Sequence, residues 1–334
     1  MKLFITGGAG FIGSNFIKHI LQKYPEYQVT NFDKLTYAGN LDNLADLENN
    51  TRYKFIKGDV ADEKQVNEVL SQGFDAVVNF AAETHVDRSI HAGARDFVLT
   101  NTLGVQTILD AVRKYEIKKM VQISTDEVYG SLELEAKDQF TESTPFQPNV
   151  PYAAAKAGGD LMCRAAFNTY KVPVVVSHCS NNYGPYQFPE KLIPFFIFKA
   201  SKDESVPLYG DGKNVRDWLY VLDHCEAIDL MLHKGVAGEV YNIGGNNEKS
   251  NLEIAKIILQ ELGKPESLIT FVADRPGHDR RYAIDASKIS RELGWKPKYN
   301  FESAIHETIE WYMKNQDWVK RIEERKAQFN PHLS

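Results

Sequence analysis

The chain has 334 residues, 43% hydrophobic and 25% charged, a balance that suits a globular protein and excludes disordered, collagen-like and low-complexity readings. Its formal charge of −6 offers no basic stripe for a phosphate backbone, so nucleic acid is not an expected partner. No apolar run nears the roughly 20 residues of a membrane helix, the opening MKLFITGGAG lacks a signal-peptide layout, and Cys163, Cys179 and Cys225 contain no close pair; a cytoplasmic protein without membrane contact is expected.

In chain order, the pattern predicts a buried strand at Lys2–Thr6, a helix at Phe11–Lys23 and a strand at Gln28–Phe32 that ends at Asp33. Strands follow at Tyr53–Ile56 and Asp75–Phe80, then a helix at about Ala92–Tyr115, a strand at Lys119–Ser124, a helix at Tyr152–Tyr170 and a strand at Val172–His178. Continuous Val/Ile runs, in place of alternation, predict a parallel sheet covered by helices on both faces. After His178 the rhythm breaks into loops rich in Asn, Gly, Pro and aromatics, such as SNNYGPYQFPEK and ADRPGHDRRY. These predict a smaller substrate-binding part over the carboxyl edge of the sheet. Lys314–Lys326 reads as a charged amphipathic helix, solvated at the end of the fold.

TGGAGFIGS sets Gly7, Gly10 and Gly13 directly after a strand and at the start of a helix. Such spacing gives a tight turn and backbone N–H groups that can approach a pyrophosphate at a helix N-terminus. Asp33 lies 20 residues past Gly13, where a carboxylate can accept hydrogen bonds from ribose hydroxyls and repel a 2′-phosphate. NAD is therefore the expected cofactor, although Lys34 adds a positive charge beside that acid. The fold class is α/β, a Rossmann-type doubly wound parallel sheet with a smaller C-terminal substrate-binding part. Residues 1–179, with a return at 217–243, form the expected NAD-binding domain, and 180–216 with 244–334 the substrate domain.

Tyr152-Ala-Ala-Ala-Lys156 puts a phenol and an ammonium on one helical face, where the cation lowers the tyrosine pKa and readies it to take a hydroxyl proton. The strand before it ends in Ser124-Thr125-Asp126-Glu127-Val128-Tyr129-Gly130. A simple oxidoreduction has no need of two adjacent carboxyls, whereas an elimination needs a base for the proton beside a carbonyl and an acid for the leaving hydroxyl. The plainer alternative is that Asp126 and Glu127 cap a helix or sit in solvent.

With Gly58-Asp59-Val60 and Phe80-Ala81-Ala82, these motifs make the chain resemble the extended short-chain dehydrogenase/reductase family acting on nucleotide sugars, over nearly its whole length. The resemblance implies an NAD site lined by Phe11, Ile12, Asp33, Lys34, Leu35, Thr36, Asp59, Val60, Phe80, Ala81, Ala82, Glu83, Thr84 and Thr100, with Lys156 on the nicotinamide ribose and Asn182 nearby. It puts Thr84, Asn181, Lys191 and Leu192 on the sugar nucleotide, Pro207 and Tyr209 against its base, and Arg216 on the diphosphate. Asn251 and Asp274, Arg275, Pro276, Gly277 and His278 would close the site. It further implies that Tyr152 and Thr125 address the C4 hydroxyl of the sugar, that Glu127 acts on the C5 proton and that Asp126 protonates the C6 oxygen as water leaves. Tightly held NAD would be regenerated each turnover. Family members commonly pair their two long helices into a homodimer, and their products feed deoxysugar synthesis, rhamnose among the outcomes. The serine often found between Tyr and Lys in the family is absent here, with Ala153, Ala154 and Ala155 in its place.

Competing expectations are a UDP-sugar 4-epimerase or decarboxylase, separable by whether water is lost, and a non-catalytic NAD- or nucleotide-sugar-binding protein. No His/Cys spacing suggests a metal, and no Ser/His/Asp arrangement suggests acyl transfer.

Overall fold

Lys2–Thr6 (β1) lies inside a seven-stranded sheet whose strands all run parallel, the inner ones largely buried and linked through helical crossovers, while the edge strand Tyr53–Lys57 carries no buried residue. Gln28–Asp33 (β2), Tyr53–Lys57 (β3), Ala76–Asn79 (β4), Met120–Thr125 (β5) and Val174–Cys179 (β6) complete its first six members. The structure is a computed structural model and describes residues 1–91, 93–274 and 277–329. Alternate side chains of β1 divide between two helical layers. Leu3 and Ile5 pack with Phe16 and Ile20 of the helix Phe11–Lys23 and with Ile228 of the helix Val221–Lys234. Phe4 packs on the other side with Val66, Ile108 and Cys163.

Asn181–Tyr183 (β7) pairs with Val215–Tyr220 (β9), which also takes Glu248–Ser250 (β11) on its other edge. Val206–Tyr209 (β8) pairs with Ile269–Val272 (β12). Val240–Ile243 (β10) returns to the large sheet, beside β6. Residues 217–220 thus lie in the small sheet, and the return to the large one runs through the helix Val221–Lys234 and β10. Ile289, Leu293 and Trp295 also bury against the large-sheet core. That second core gathers Tyr183, Phe196, Trp218, Ile258 and Phe301.

Several boundaries differ from expectation. The helix expected over about 92–115 is Arg95–Val98 running through a π-helical turn, Leu99–Leu103, into Gly104–Lys114. The terminal helix is not simply solvated. Phe301–Lys314 ends at Asn315, and Gln316–Phe329 buries Trp318, Val319 and Ile322 in the second core, with the Trp318 indole N–H donating to Asn43 Oδ1 at 2.9 Å. Its charged residues hid an apolar face of three residues. Among the described residues, no helix is long and apolar enough to cross a membrane.

Candidate active site

The sheet order β10-β6-β5-β4-β1-β2-β3 reverses direction between β1 and β4, where diverging connections leave a crevice at the strands' carboxyl ends. A cleft of about 310 Å³ opens there. Gly7, Gly10 and Gly13 reach it on the turn after β1. Gly7 has φ +66°, and a Cβ on Gly13 would stand 2.5 Å from the Gly7 carbonyl oxygen, so neither position accepts a side chain. The helix that follows starts at Gly10 with no side-chain cap and no acid in its first turn. Its open N–H groups at Phe11, Ile12 and Gly13 face the cleft, as an anion-binding helix end requires.

Asp33 closes β2 at the cleft wall and accepts N–H bonds from Ala9 at 2.9 Å and Leu35 at 2.8 Å. Burial pushes its carboxyl up, and these two bonds pull it back down. Lys34 turns instead to Asp59, 2.7 Å away, so its charge is spent on that carboxylate. Val60, Phe80, Ala81, Ala82, Glu83, Thr84, Thr100, Thr36 and Asn182 also line the cleft, and only Leu35 of the expected cofactor set does not. An open helix end and an acid at the end of β2, in one cleft, fit NAD.

Thr125, Asp126, Glu127, Tyr152 and Lys156 stand together on the same cleft wall. Thr125 is the N-cap of the turn Asp126–Tyr129, its hydroxyl accepting from Glu127 N at 3.3 Å. Asp126 is therefore not the cap, nor is it solvated, at 2% exposure. Burial, then the Glu127 and Asp217 carboxylates, push Asp126 well above the usual carboxylate range, and among the described residues its Oδ2 has no hydrogen-bond partner. Lys156 is buried and donates to the Ile123 carbonyl at 2.6 Å. Desolvation lowers its pKa while Asp160 opposes that. The Tyr152 phenol is pushed well up by burial and then by Glu127, against a hydrogen bond from Thr125. The expected lowering of Tyr152 by Lys156 is not what the protein gives: desolvation raises the phenol, and Thr125 is the group that opposes it.

Thr84, Asn181 and Lys191 of the expected substrate set reach the cleft; Leu192, Pro207, Tyr209, Arg216, Asn251, Asp274, Gly277 and His278 do not line it. Arg275 and Pro276 lie outside the described residues. Arg216 is buried, donating to Val215 O at 2.8 Å and Asp279 O at 3.0 Å, with its guanidinium 4.3 Å from the Tyr282 ring centre. Asp274 and His278 pair with each other at 2.6 Å. Tyr37, Cys179, Ser180, Gln187, Phe188 and Glu190 line the cleft without having been foreseen. Four of these follow the end of β6, where the change to loop composition was the available signal; Cys179 carried none. Lys191 donates to Thr84 O at 3.2 Å and His85 meets Glu190 at 3.3 Å, two links between neighbouring segments at the cleft. His19, Glu226 and Asp229 have metal-like spacing, but Lys23 Nζ sits 2.6 Å from both carboxylates and supplies the cation.

A cleft of this make-up defines an extended short-chain dehydrogenase/reductase. Residues 4–308 match the family model described as GDP-mannose 4,6 dehydratase, and the chain belongs to that family. It is 52% identical, over 95% of each chain, to the dTDP-glucose 4,6-dehydratase of Xanthomonas campestris pv. campestris strain B100. The crystal structure of dTDP-glucose 4,6-dehydratase from Bacillus anthracis strain Ames in complex with NAD superposes with a TM-score of 0.91 at 50% identity, covering 96% of this chain and 99% of that one. The UDP-glucose 4-epimerase of Thermotoga maritima with UDP-glucose matches with a TM-score of 0.87 at 28% identity, over 95% of this chain and all of that one, so the fold alone does not separate the two reactions.

Proposed function

We propose that the chain is a dTDP-glucose 4,6-dehydratase, a hydro-lyase that converts dTDP-glucose to dTDP-4-keto-6-deoxyglucose and water. The observation that carries this reading is Asp126, buried and held toward its protonated form, next to Glu127 on the wall shared with Tyr152 and Lys156. Near full-length identity to curated dehydratases supports it. An epimerase has no leaving group to protonate and no use for such an acid.

NAD supplies the hydride acceptor and donor for the sugar, held by the Gly7–Gly13 turn, Asp33, Lys156 and Asn182. Tyr152 takes the C4 hydroxyl proton while Thr125 hydrogen-bonds the same oxygen. The resulting C4 ketone acidifies the C5 proton, which Glu127 removes. Asp126 donates its proton to the C6 oxygen, and water departs to leave a conjugated 4-keto-5,6-ene. Glu127 then returns a proton to C5 as C6 is reduced, so the cycle is redox-neutral. Residues 1–179 with the return toward 243 serve the cofactor, and the remainder serves the nucleotide sugar. In that reading the Leu192–Arg216 and Asn251–His278 residues that stand off the cleft meet the substrate only once it is bound.

Two exposed apolar sets support a homodimer: Val98, Leu99 and Leu103 on one long helix, and Leu161 and Tyr170 on the other. Three unpaired cysteines suit a cytoplasmic setting, and the keto-deoxy product suits onward conversion to a deoxysugar such as rhamnose.

The test is mass spectrometry of dTDP-glucose incubated with purified protein and no added NAD. A product lighter by one water is expected. Unchanged mass with a 4-epimer would replace the dehydratase by the epimerase, and no reaction even with NAD and UDP- or CDP-glucose would favour a binding protein.

A further inference from the structure

A buried polar chain that the proposed reaction does not use begins one helical turn beyond Lys156. Asp160 shares a helix face with Tyr152 and Lys156, and its Oδ2 accepts from Ser124 Oγ at 2.6 Å. Ser124 follows Ile123, whose carbonyl holds Lys156. The same Oδ2 lies 3.1 Å from His178 Nε2, and the two side chains are 3% and 1% exposed. His178 Nδ1 is 2.6 Å from the hydroxyl of Tyr129, the last residue of the turn that begins with Asp126 and Glu127. That hydroxyl is also 2.9 Å from Asn242 Oδ1. The Asn242 amide has one orientation here, because its Nδ2 donates to Phe140 O at 3.0 Å.

Counting protons along this chain gives a result that no single contact shows. Asn242 Oδ1 can only accept, so it takes the one proton of Tyr129. The Tyr129 oxygen must then accept from His178 Nδ1–H. The Asp160 carboxylate can only accept, so His178 Nε2 must donate as well. A neutral imidazole has a single N–H, and the chain therefore needs one proton more, shared between His178 and Asp160.

We propose that Asp160 and His178 are positioning residues: a buried pair holding one shared proton that locks the Tyr152–Lys156 helix face to the turn bearing Asp126 and Glu127. The positioning role rests on the dehydratase reading, whereas the proton count does not. Charges and dipoles face the pair from every side. Lys156 and Cys163 come from the Asp160 helix, Ser124 from β5 and Tyr129 from the turn, with Asp126 and Glu142 acting on Tyr129. Asn242 comes from β10, with Glu142 Oε1 accepting its backbone N–H at 2.9 Å, and the Phe146 ring packs against the imidazole. In such a dry site, removing one partner leaves the other's donor or acceptor unmet, and the chain breaks at both ends.

The experiment combines nitrogen-15 NMR of histidine-labelled, full-length protein with steady-state kinetics on dTDP-glucose. His178 should show two ring N–H signals at neutral pH in the wild type and one in Asp160→Asn. A single N–H in the wild type together with an ionised Asp160 carboxyl, read by carbon-13 labelling, overturns the shared proton. Asp160→Asn should lower kcat by about tenfold or more, since small misplacements of reacting groups are costly, with KM nearly unchanged; an unaltered kcat overturns the positioning role. Should Asp160→Asn fail to fold, Tyr129→Phe, which removes only the hydroxyl at the far end of the chain, is expected to show the same kcat-only loss, and wild-type kcat there overturns the role equally. Wild-type protein that does not dehydrate dTDP-glucose would instead refute the dehydratase reading, while its NMR signals still decide the proton count.

Discussion

Adjacent carboxyls divide acid from base only where their surroundings hold them in different states. Asp126 is enclosed and pushed toward its neutral form, while Glu127 stands half-buried on the cleft wall. A carboxyl whose folded pKa is raised stabilises the fold below its unfolded pKa and loses that contribution as pH rises toward the folded value. Asp126→Asn removes this titration. The variant's Tm, relative to wild type, should therefore be higher at pH 8 than at pH 5, while kcat falls about 10²- to 10⁴-fold with the loss of the general acid. A pH-independent Tm difference would place Asp126 in its ordinary range. Glu127→Gln should leave the first oxidation intact and stop the elimination, so that absorbance of the reduced cofactor appears on mixing with substrate and no water is lost. Dehydration at wild-type rate would take Glu127 out of the mechanism.

Glycines in the middle of a helix weaken it, and the Tyr152 helix nevertheless carries Gly158 and Gly159. The reason lies in its neighbour. A Cβ on Gly159 would stand 2.3 Å from the Asn101 carbonyl oxygen in the π-helical turn. That turn carries Thr100 into the cleft, and its Asn101 side chain bonds both the N–H and the carbonyl of Glu83, at 2.9 and 3.0 Å. Gly159→Ala should thus push the two helices apart, at a cost of about 1–3 kcal/mol for overpacking, and weaken NAD retention. Thermal melts and cofactor content after gel filtration measure both. A variant with wild-type melting and a full complement of NAD would mean that the helix contact has slack.

For the whole molecule, the two long helices turn their inner faces to the large-sheet core and leave Leu103 and Leu161 half exposed. In the proposed homodimer, Leu161→Glu on this outer face should convert the dimer to a monomer in sedimentation and leave the melting of the monomer core little changed. A variant that still sediments as a dimer would move the interface elsewhere. Lys191 with Thr84 and His85 with Glu190 tie the segment after β4 to the loop before the helix Leu192–Ser201.

The glycine turn, Asp33, the Tyr152–Lys156 spacing and the Asp126–Glu127 pair were all legible in the sequence. Their chemistry depends on local order along the chain and on strands whose Val/Ile runs announce burial. Boundaries moved by a residue or two, because strand ends are decided by pairing with neighbours. Tertiary structure alone decided the rest. Trp318, Val319 and Ile322 found a core that a charged helix does not advertise. Arg216 and Cys179 took their places from elements distant in the chain, one bonded away from the cleft and the other lining it. Burial pushed Asp126 up and raised Tyr152 where the helix spacing pointed to a lowering, since desolvation is a property of everything packed around a group. The chain of Ser124, Asp160, His178 and Tyr129 exists only because two strands, a helix and a turn meet there. The sequence by itself brought forward the groups of the proposed reaction, and packing determines the direction in which burial pushes each of them.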